Sequence, residues 1–415
     1  MALYVICLQK VNKIYGQPMK LQKIDQDQGA RNRTRVIAEL LRRPGLSRTD
    51  IGNAVGLNVA SVSRITRDLI NAGLVRETDP FGPRGRPGRR FVGLASRGEG
   101  GAVIGIGINA FRQSVTLADL ENRKVAEWIS QETPDENGEE FIGICLNKAR
   151  DMVREHIPER NRFFGVGIAV AAELNKERGE ILSAPVFGWT KPIAAADMVR
   201  ELLDAPLVLD TPSSAINKAE ADHGLGQGVA NLITLHCSLR FGIGVRHMGD
   251  NGNTVQEFGR VLTQSKAPDG SKRNLSEACG GLSILKAIRG AESLVGHSDA
   301  ALSAMLLEDI ERAQNDSQTL ALFRENGQRT AQYLSLVLDL CQPDRILLAG
   351  PLAKSGDYVS GFEQALPQCV SNSNHVPDIH CSDMTPTGAS RWLALHGNVA
   401  KGNLDLDALR QETAA

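Results

Sequence analysis

Near residue 98 the chain changes its chemistry, and one packed core does not accommodate both sides of that boundary. Residues 30–97 hold fourteen Arg and no Lys against five acids, Glu39, Asp50, Asp68, Glu77 and Asp79, a surplus of nine positive charges. The whole chain carries a formal net charge of −1, so the remainder is acidic by about ten charges. A compact basic module joined to a larger acidic body is the electrostatic footprint of a nucleic-acid reader attached to a separate sensor or enzyme. The plainer alternative is a solvated basic face.

Length agrees with a division. At 415 residues the chain exceeds an ordinary domain of about 100–200 residues, so two or three packed units are expected. Hydrophobic content of 42%, charged content of 23%, sparse aromatics at 4% and 41 Gly fit an α/β protein rich in tight turns.

Within the basic segment, NRTRVIAELLRRPG sets Val36, Ile37, Leu40 and Leu41 at helical spacing and stops at Pro44 and Gly45. LSRTDIGNAVGL then offers Ser47 as N-cap, Asp50 three residues on as the acid of a capping box, and Gly56 as a stop. NVASVSRITRDLINAGLV starts at a cap-competent Asn58 and keeps Val62, Ile65, Leu69 and Ile70 on one face. Ser61, Ser63, Arg64 and Arg67 fall on the others, as in a recognition helix whose N-terminal half meets base edges. The candidate DNA contacts here are Ser47, Arg48, Asn58, Ser61, Ser63, Arg64 and Arg67.

DPFGPRGRPGRRFVGL reads as a wing, with Arg84, Arg86, Arg89 and Arg90 projecting from a tip broken by Pro and Gly. An extended Arg-Gly-Arg-Pro segment is narrow enough for an A·T-rich minor groove. Contact with phosphates alone is the alternative.

From Val103 strand-like runs alternate with helices: AVIGIGIN, QSVTLADL, FFGVGIAVA, PLVLD, NLITLHCS, FGIGVRHM and RILLAGPL, with helical patterns at 141–156, 193–203, 213–222 and 326–341. That order argues for α/β sheets. No apolar run approaches the roughly 18–20 residues of a membrane span. The start, MALYVICLQKVNK, lacks the basic region and cleavage site of a signal peptide, so residues 1–25 are expected to be a disordered leader or an over-long start. Seven cysteines, an odd number with no CxxC pair, point to free thiols in a reducing cytoplasm.

The motif order resembles the ROK family (repressors, open reading frames, kinases), and within it the transcriptional regulators with an N-terminal winged helix. The resemblance rests on GLSRTDIGNAVGLNVASVSRITRDLINAGLVRE followed by GRPGRR, on VGIAVAAELNKERGEILSAPVFGW, on GIGVRHMGDNGNTVQEFGR and on PDRILLAGPL. It implies an N-terminal winged helix-turn-helix at 26–97 and a two-lobed actin-like, ribonuclease H-like sugar-kinase fold. The first lobe is expected at 98–222 and the second at 223–415, with C-terminal helices returning to the first.

The family's kinase elements are altered here. Asn109, Ala110, Phe111 and Arg112 stand where the family carries an Asp followed by a Gly-Gly-Thr phosphate turn. The family's Asn-Asp pair, which supplies the proton-accepting carboxylate, falls on Thr211 and Pro212; Asp210 lies nearby and rescues the base only if the alignment is offset. The zinc-binding His and Cys set is replaced by Arg260 and the cysteine-free SKAPDGSKRNLSE, with Cys279 left alone. The resemblance therefore implies a catalytically silent body with no metal and no cofactor.

As cleft residues it implies Glu257, Gly188, Trp189, Asp210 and Ser213, with Arg260 and His247 as contributors. Arg260 either neutralises Glu257 or favours an anionic ligand such as a sugar phosphate or sugar acid. His223 and His236 read as ordinary surface or core histidines. The expected protein is a cytoplasmic transcriptional repressor of carbohydrate genes, a homodimer or dimer of dimers; the alternatives are an active sugar kinase with a DNA-binding head and a ligand-independent regulator with a vestigial cleft. Its partners are a double-stranded DNA operator and a sugar or sugar-phosphate effector, with no membrane.

Overall fold

The computed structural model describes residues 28–79, 92–110, 112–130, 137–159, 162–249, 252–257, 262–266, 272–313, 316–372, 375–402 and 404–413. The expected leader lies outside them. The head comprises α1 (Gln28–Arg42), β1 (Leu46–Ser47), α2 (Arg48–Val55), α3 (Val59–Asn71), β2 (Val75–Glu77) and β3 (Gly93–Ser96). Local chemistry sets its turns: Ser47 and Asp50 form a capping box at α2, Gly56 ends that helix in the left-handed region at φ 63°, and Asn58 caps α3. Val36, Leu40, Ile51, Val62 and Leu69 close the core. The three strands pair in the order β1-β3-β2. The wing tip between β2 and β3, with Arg84, Arg86, Arg89 and Arg90, lies outside the described residues.

The first lobe is built from β4 (Ala102–Ile108), β5 (Gln113–Asp119), β6 (Lys124–Ile129), α4 (Gly138–His156), β7 (Phe163–Val170), β8 (Glu173–Asn175), β9 (Glu180–Ser183), α5 (Ala195–Leu203), β10 (Leu207–Asp210) and α6 (Pro212–His223). Its main sheet runs β10-β7-β4-β5-β6. The second lobe has β11 (Asn231–Cys237), β12 (Phe241–Gly249), β13 (Gly252–Glu257), β14 (Leu262–Lys266), β15 (Lys272–Asn274), α7 (Leu275–Cys279), α8 (Gly281–Arg289), α9 (Asp299–Ala313), α10 (Ser317–Cys341), β16 (Arg345–Ala349), α11 (Gly356–Ala365) and β17 (Asp378–Ser382). Its sheet runs β13-β12-β11-β16-β17.

The two sheets repeat one plan. In each, the first strand (β4 or β11) has its antiparallel hairpin partner on one side and a parallel crossover strand (β7 or β16) on the other. Central strands are buried on both faces, which explains continuous apolar runs such as ILLA rather than alternation.

After β17 the chain crosses back. α12 (Pro386–Ala394) lies against β4 and β7 of the first lobe, and α13 (Leu406–Thr413) packs on α3 of the head. Glycines make the first contact possible: a Cβ at Gly107 would stand 2.8 Å from Thr387 N, and one at Gly105 2.6 Å from Arg391 N. One apolar cluster consequently runs from Val36 and Leu40 in the head to Trp392, Leu395 and Leu409. No helix among the described residues is long and apolar enough to cross a membrane.

Candidate functional site

The recognition helix is held from behind. Arg162, buried just before β7, donates from Nη1 to Ala72 O at 2.7 Å, capping the C-terminal end of α3, and from Nη2 to Leu409 O at 2.9 Å. A cation is favoured at that end of a helix dipole. Arg410 of α13 reaches Asp68 at 3.0 Å, and Arg76 of the wing strand reaches Glu121 of the first lobe at 3.1 Å. Arg64, Arg67 and Asn58 remain exposed, with Ser61 and Ser63 half-buried beside them. Two other candidate DNA contacts have structural duties: Ser47 is 5% exposed with its hydroxyl committed to Asp50, and Arg48 pairs with Glu77 at 2.8 Å.

Between the lobes lies a cavity of about 620 Å³, within the range of about 300–1,000 Å³ usual for small-molecule sites. Its first-lobe wall comes from Asn109 after β4, from residues 171–174 and Lys176 after β7, and from Thr211 to Ser213 at the start of α6. The second-lobe wall comes from the β11–β12 turn, with His236, Ser238, Arg240 and Phe241, and from Asn274 and Ser276. Arg240 is held by Asp299 at 2.7 Å, and Ser276 Oγ accepts from Phe241 N at 2.9 Å. Burial pushes the His236 imidazole down to about 4, so it faces the cavity neutral.

Asp210, one residue before the Thr211–Ser213 wall and outside the cavity lining, is 1% exposed, its two oxygens 2.5 Å from Lys176 Nζ and 2.6 Å from Lys218 Nζ. Burial by itself raises a carboxyl, yet the two ammonium groups, Lys218 foremost, outweigh it and hold Asp210 below the usual value. A carboxylate so strongly held as an anion is a weak proton acceptor.

The other cleft expectations meet varied fates. Ser213 lines the cavity. Trp189 does not: it is 1% exposed, packed by Phe141 and Phe187 in the first-lobe core, and Gly188 beside it is a left-handed turn residue outside the cavity wall. His247 lies four residues along β12 beyond Ile243, which lines the cavity, about 13 Å away at a strand rise of about 3.3 Å, and bonds Asn231 at 3.0 Å. Glu257 ends β13 with its backbone opposite Gly244. Arg260 lies outside the described residues. His236, Lys176 and Arg240 were missed; the signal for His236 was its place at the end of a buried strand, next to a hairpin turn.

α6 joins cavity to head. The twelve-residue helix is about 18 Å long at about 1.5 Å rise, and Ser213 and Asp222 stand near its two ends. A carboxylate is unfavourable at the negative end of a helix dipole, and here three elements compensate it. Asp222 accepts from Arg42 Nη2 of α1 at 3.0 Å and from Trp392 Nε1 of α12 at 3.1 Å, and Arg246 Nη1 of β12 lies 3.5 Å away. Head, second lobe and returning helix thus meet on one buried side chain. Among the described residues no three His, Cys, Asp or Glu converge as a metal-binding group, and the Cys279 thiol, buried at the end of α7, donates to Leu275 O.

A winged-helix head on two sheet-based lobes with a cavity between them defines a class of DNA-binding regulators built on a sugar-kinase-type body. A ROK family model matches residues 102–400, and a winged helix-turn-helix DNA-binding model matches residues 30–76. The chain belongs to the ROK family.

It is similar to a xylose repressor of Caldicellulosiruptor bescii, 27% identical over 214 residues that cover 52% of this chain and 53% of that protein. It is also similar to the DNA-binding transcriptional repressor Mlc of Escherichia coli, 23% identical over 78% of this chain and 82% of that one. The chain thus matches about half the length of the first relative and most of the second. Among solved structures, a ROK family transcriptional regulator described as a homolog of the E. coli MLC protein superposes with a TM-score of 0.70 at 19% identity, covering 92% of this chain and 99% of that chain. A ROK family glucokinase from Streptomyces griseus superposes at 0.53 with 18% identity over 72% and 98%. At these identities the structural likeness is one of fold.

Proposed function

We propose that the chain is a transcriptional repressor of carbohydrate genes, working in the cytoplasm as a homodimer or dimer of dimers. Its winged helix reads double-stranded DNA, and its interlobe cavity senses a sugar or sugar derivative without phosphorylating it. The observation that carries this reading is the single helix, α6, which starts in the cavity wall and ends on the Arg42–Asp222 pair at the head. Relatives named as repressors support the DNA-binding role. A ligand that draws the lobes together moves α6 and, through Asp222, the head; in a symmetric dimer that shifts the spacing of two recognition helices, a coupling of about 1–3 kcal/mol.

The absence of phosphoryl transfer is supported by the base position. Thr211 and Pro212 accept no proton, and Asp210 is locked between two lysines. Incubation with Mg-ATP and a panel of hexoses and pentoses is expected to yield ADP at the rate of the protein-free control; sugar-dependent ADP would establish a kinase carrying a DNA-binding head. For the head, Arg64→Ala is expected to reduce discrimination between operator and random duplex by about 1–3 kcal/mol. In a gel shift at fixed salt, equal losses on both DNAs would place Arg64 on phosphate rather than base.

A further inference from the structure

We propose a second small-molecule site at the head–body junction, a cavity that takes a small neutral molecule with an apolar ring and one hydrogen-bonding group. A cavity of about 380 Å³ lies there, near the lower end of the range of about 300–1,000 Å³ usual for ligand sites. Leu41 and Pro44 at the end of α1 form the head's side of it, and Leu120 and Asn122 of the turn between β5 and β6 form the first lobe's side. His223 at the end of α6 and Leu395 just after α12 complete the wall. This cavity and the interlobe cavity share no lining residue.

Two observations set the chemistry of the ligand. The first is an unpartnered polar group. His223 is half-buried on this wall, its ring centroid 4.1 Å from that of Trp392, and no described residue hydrogen-bonds either of its ring nitrogens. Burial lowers its pKa against the opposing charges of Asp222 and Glu220, so at neutral pH the imidazole is uncharged and offers one donor and one acceptor. A ligand group that meets it here gains a hydrogen bond that no side chain supplies.

The second is charge balance. The cations on the rim, Arg76 and Arg123, are matched by Glu121 at 3.1 and 2.9 Å, and Arg123 also by Asp119 at 2.8 Å. No spare charge is left for an anion or a cation. Leu40, Leu41, Leu120 and Leu395 make the rest of the wall largely apolar. A sugar would bury hydroxyls there without partners, whereas a ring with one polar group would not. Such a ligand touches Leu41 of the head and His223, the neighbour of Asp222, and so bears on the junction that the Arg42–Asp222 pair holds.

Ligand-detected NMR and calorimetric titration of the full chain test this, with phenol, indole, benzamide and nicotinamide as neutral probes and benzoate and benzylamine as charged ones. At least one neutral probe is expected to bind with a Kd of about 1 mM or tighter, and at least about tenfold more tightly than either charged probe. His223→Phe keeps a ring on Trp392 and deletes both nitrogens; it should weaken that probe by about tenfold. Leu41→Trp, at a half-buried position of the wall, fills the space and should abolish binding. Lys176→Gln, in the interlobe cavity, should leave it unchanged. Saturation with the probe is expected to change operator affinity by at least about fivefold in a gel shift.

No binding by any neutral probe, or binding that survives both junction variants, would overturn the site. Binding lost only in Lys176→Gln would place the probe between the lobes and overturn it equally. Charged probes binding as tightly as neutral ones would overturn the chemistry assigned to the ligand, and an operator affinity unmoved by bound probe would overturn its link to the head. A sugar titration of the interlobe cavity is independent of all these results.

Discussion

Asp222→Ala is expected to destabilise the protein by about 3–5 kcal/mol, the cost of stranding a buried charge. Arg246 is 5% exposed, and Asp222 is the acid facing it; burial lowers the guanidinium's pKa, Asp222 raises it, and the charge of Arg42 opposes. Without the carboxylate, two guanidinium groups face one another across the head–body junction and the Trp392 indole loses its acceptor. Trp392→Phe, which deletes only that hydrogen bond, should cost about 1 kcal/mol. Urea unfolding of the two variants separates the effects. An Asp222→Ala protein within 1 kcal/mol of the parent would show that the junction is held by its apolar cluster alone. A double-mutant cycle between Arg42→Ala and Asp222→Ala measures the direct pair.

Acidification should unfold the protein well before its carboxylates titrate. Burial pushes His236 down to about 4 and His396 to about 4, and lowers His223 as well. In the unfolded chain these imidazoles take up protons near pH 6.5. Between about 6.5 and 4 the unfolded state therefore binds more protons, and stability present above that window is lost as the pH falls through it. A histidine so depressed contributes a slope of up to about 1.4 kcal/mol per pH unit, so His236 and the partly buried His396 together approach about 2–3 kcal/mol per unit. His223 packs on Trp392 with ring centroids 4.1 Å apart and His396 stacks on the same indole at 6.0 Å, so much of the loss falls at the head–body junction. Denaturation at pH 7.5, 6 and 5 measures the slope, and His396→Gln should remove close to half of it. A flat profile from pH 7.5 to 5 would contradict these burial-depressed values.

The head was legible almost to the residue because its determinants are local. The Ser47–Asp50 capping box, the left-handed Gly56 and the Asn58 cap each act within four residues, and the helices begin where those residues stand. In the body, every strand read from an apolar run is present. Three edge strands gave no such run: β6, exposed on alternate residues, and the polar β13 and β17. A strand whose side chains are polar or mostly exposed carries no apolar run, whereas β10, also at an edge, does. Long α10 begins at Ser317, nine residues before its expected start at 326, where Asp316 caps it by accepting from Gln318 N.

The site was far less legible. His236 and His247 lie on the two strands of one hairpin, and which of them faces the cavity depends on which end of that hairpin abuts the other lobe. Trp189 was placed in the cleft by analogy, whereas Phe141 of α4, 48 residues earlier, draws its ring into the first-lobe core.

What the amino-acid order settled unaided was the pair of modules and the kind of secondary structure in each. Those properties follow from side-chain type, short-range capping and burial period. Only the tertiary structure decided that Thr211, Lys176 and His236 share one cavity and that Asp222 ties Arg42, Arg246 and Trp392 together across 180 and 170 residues of chain from the first and last. Such meetings are set by how two sheets and a returning helix pack, and contact energy between distant segments leaves no periodic trace in either.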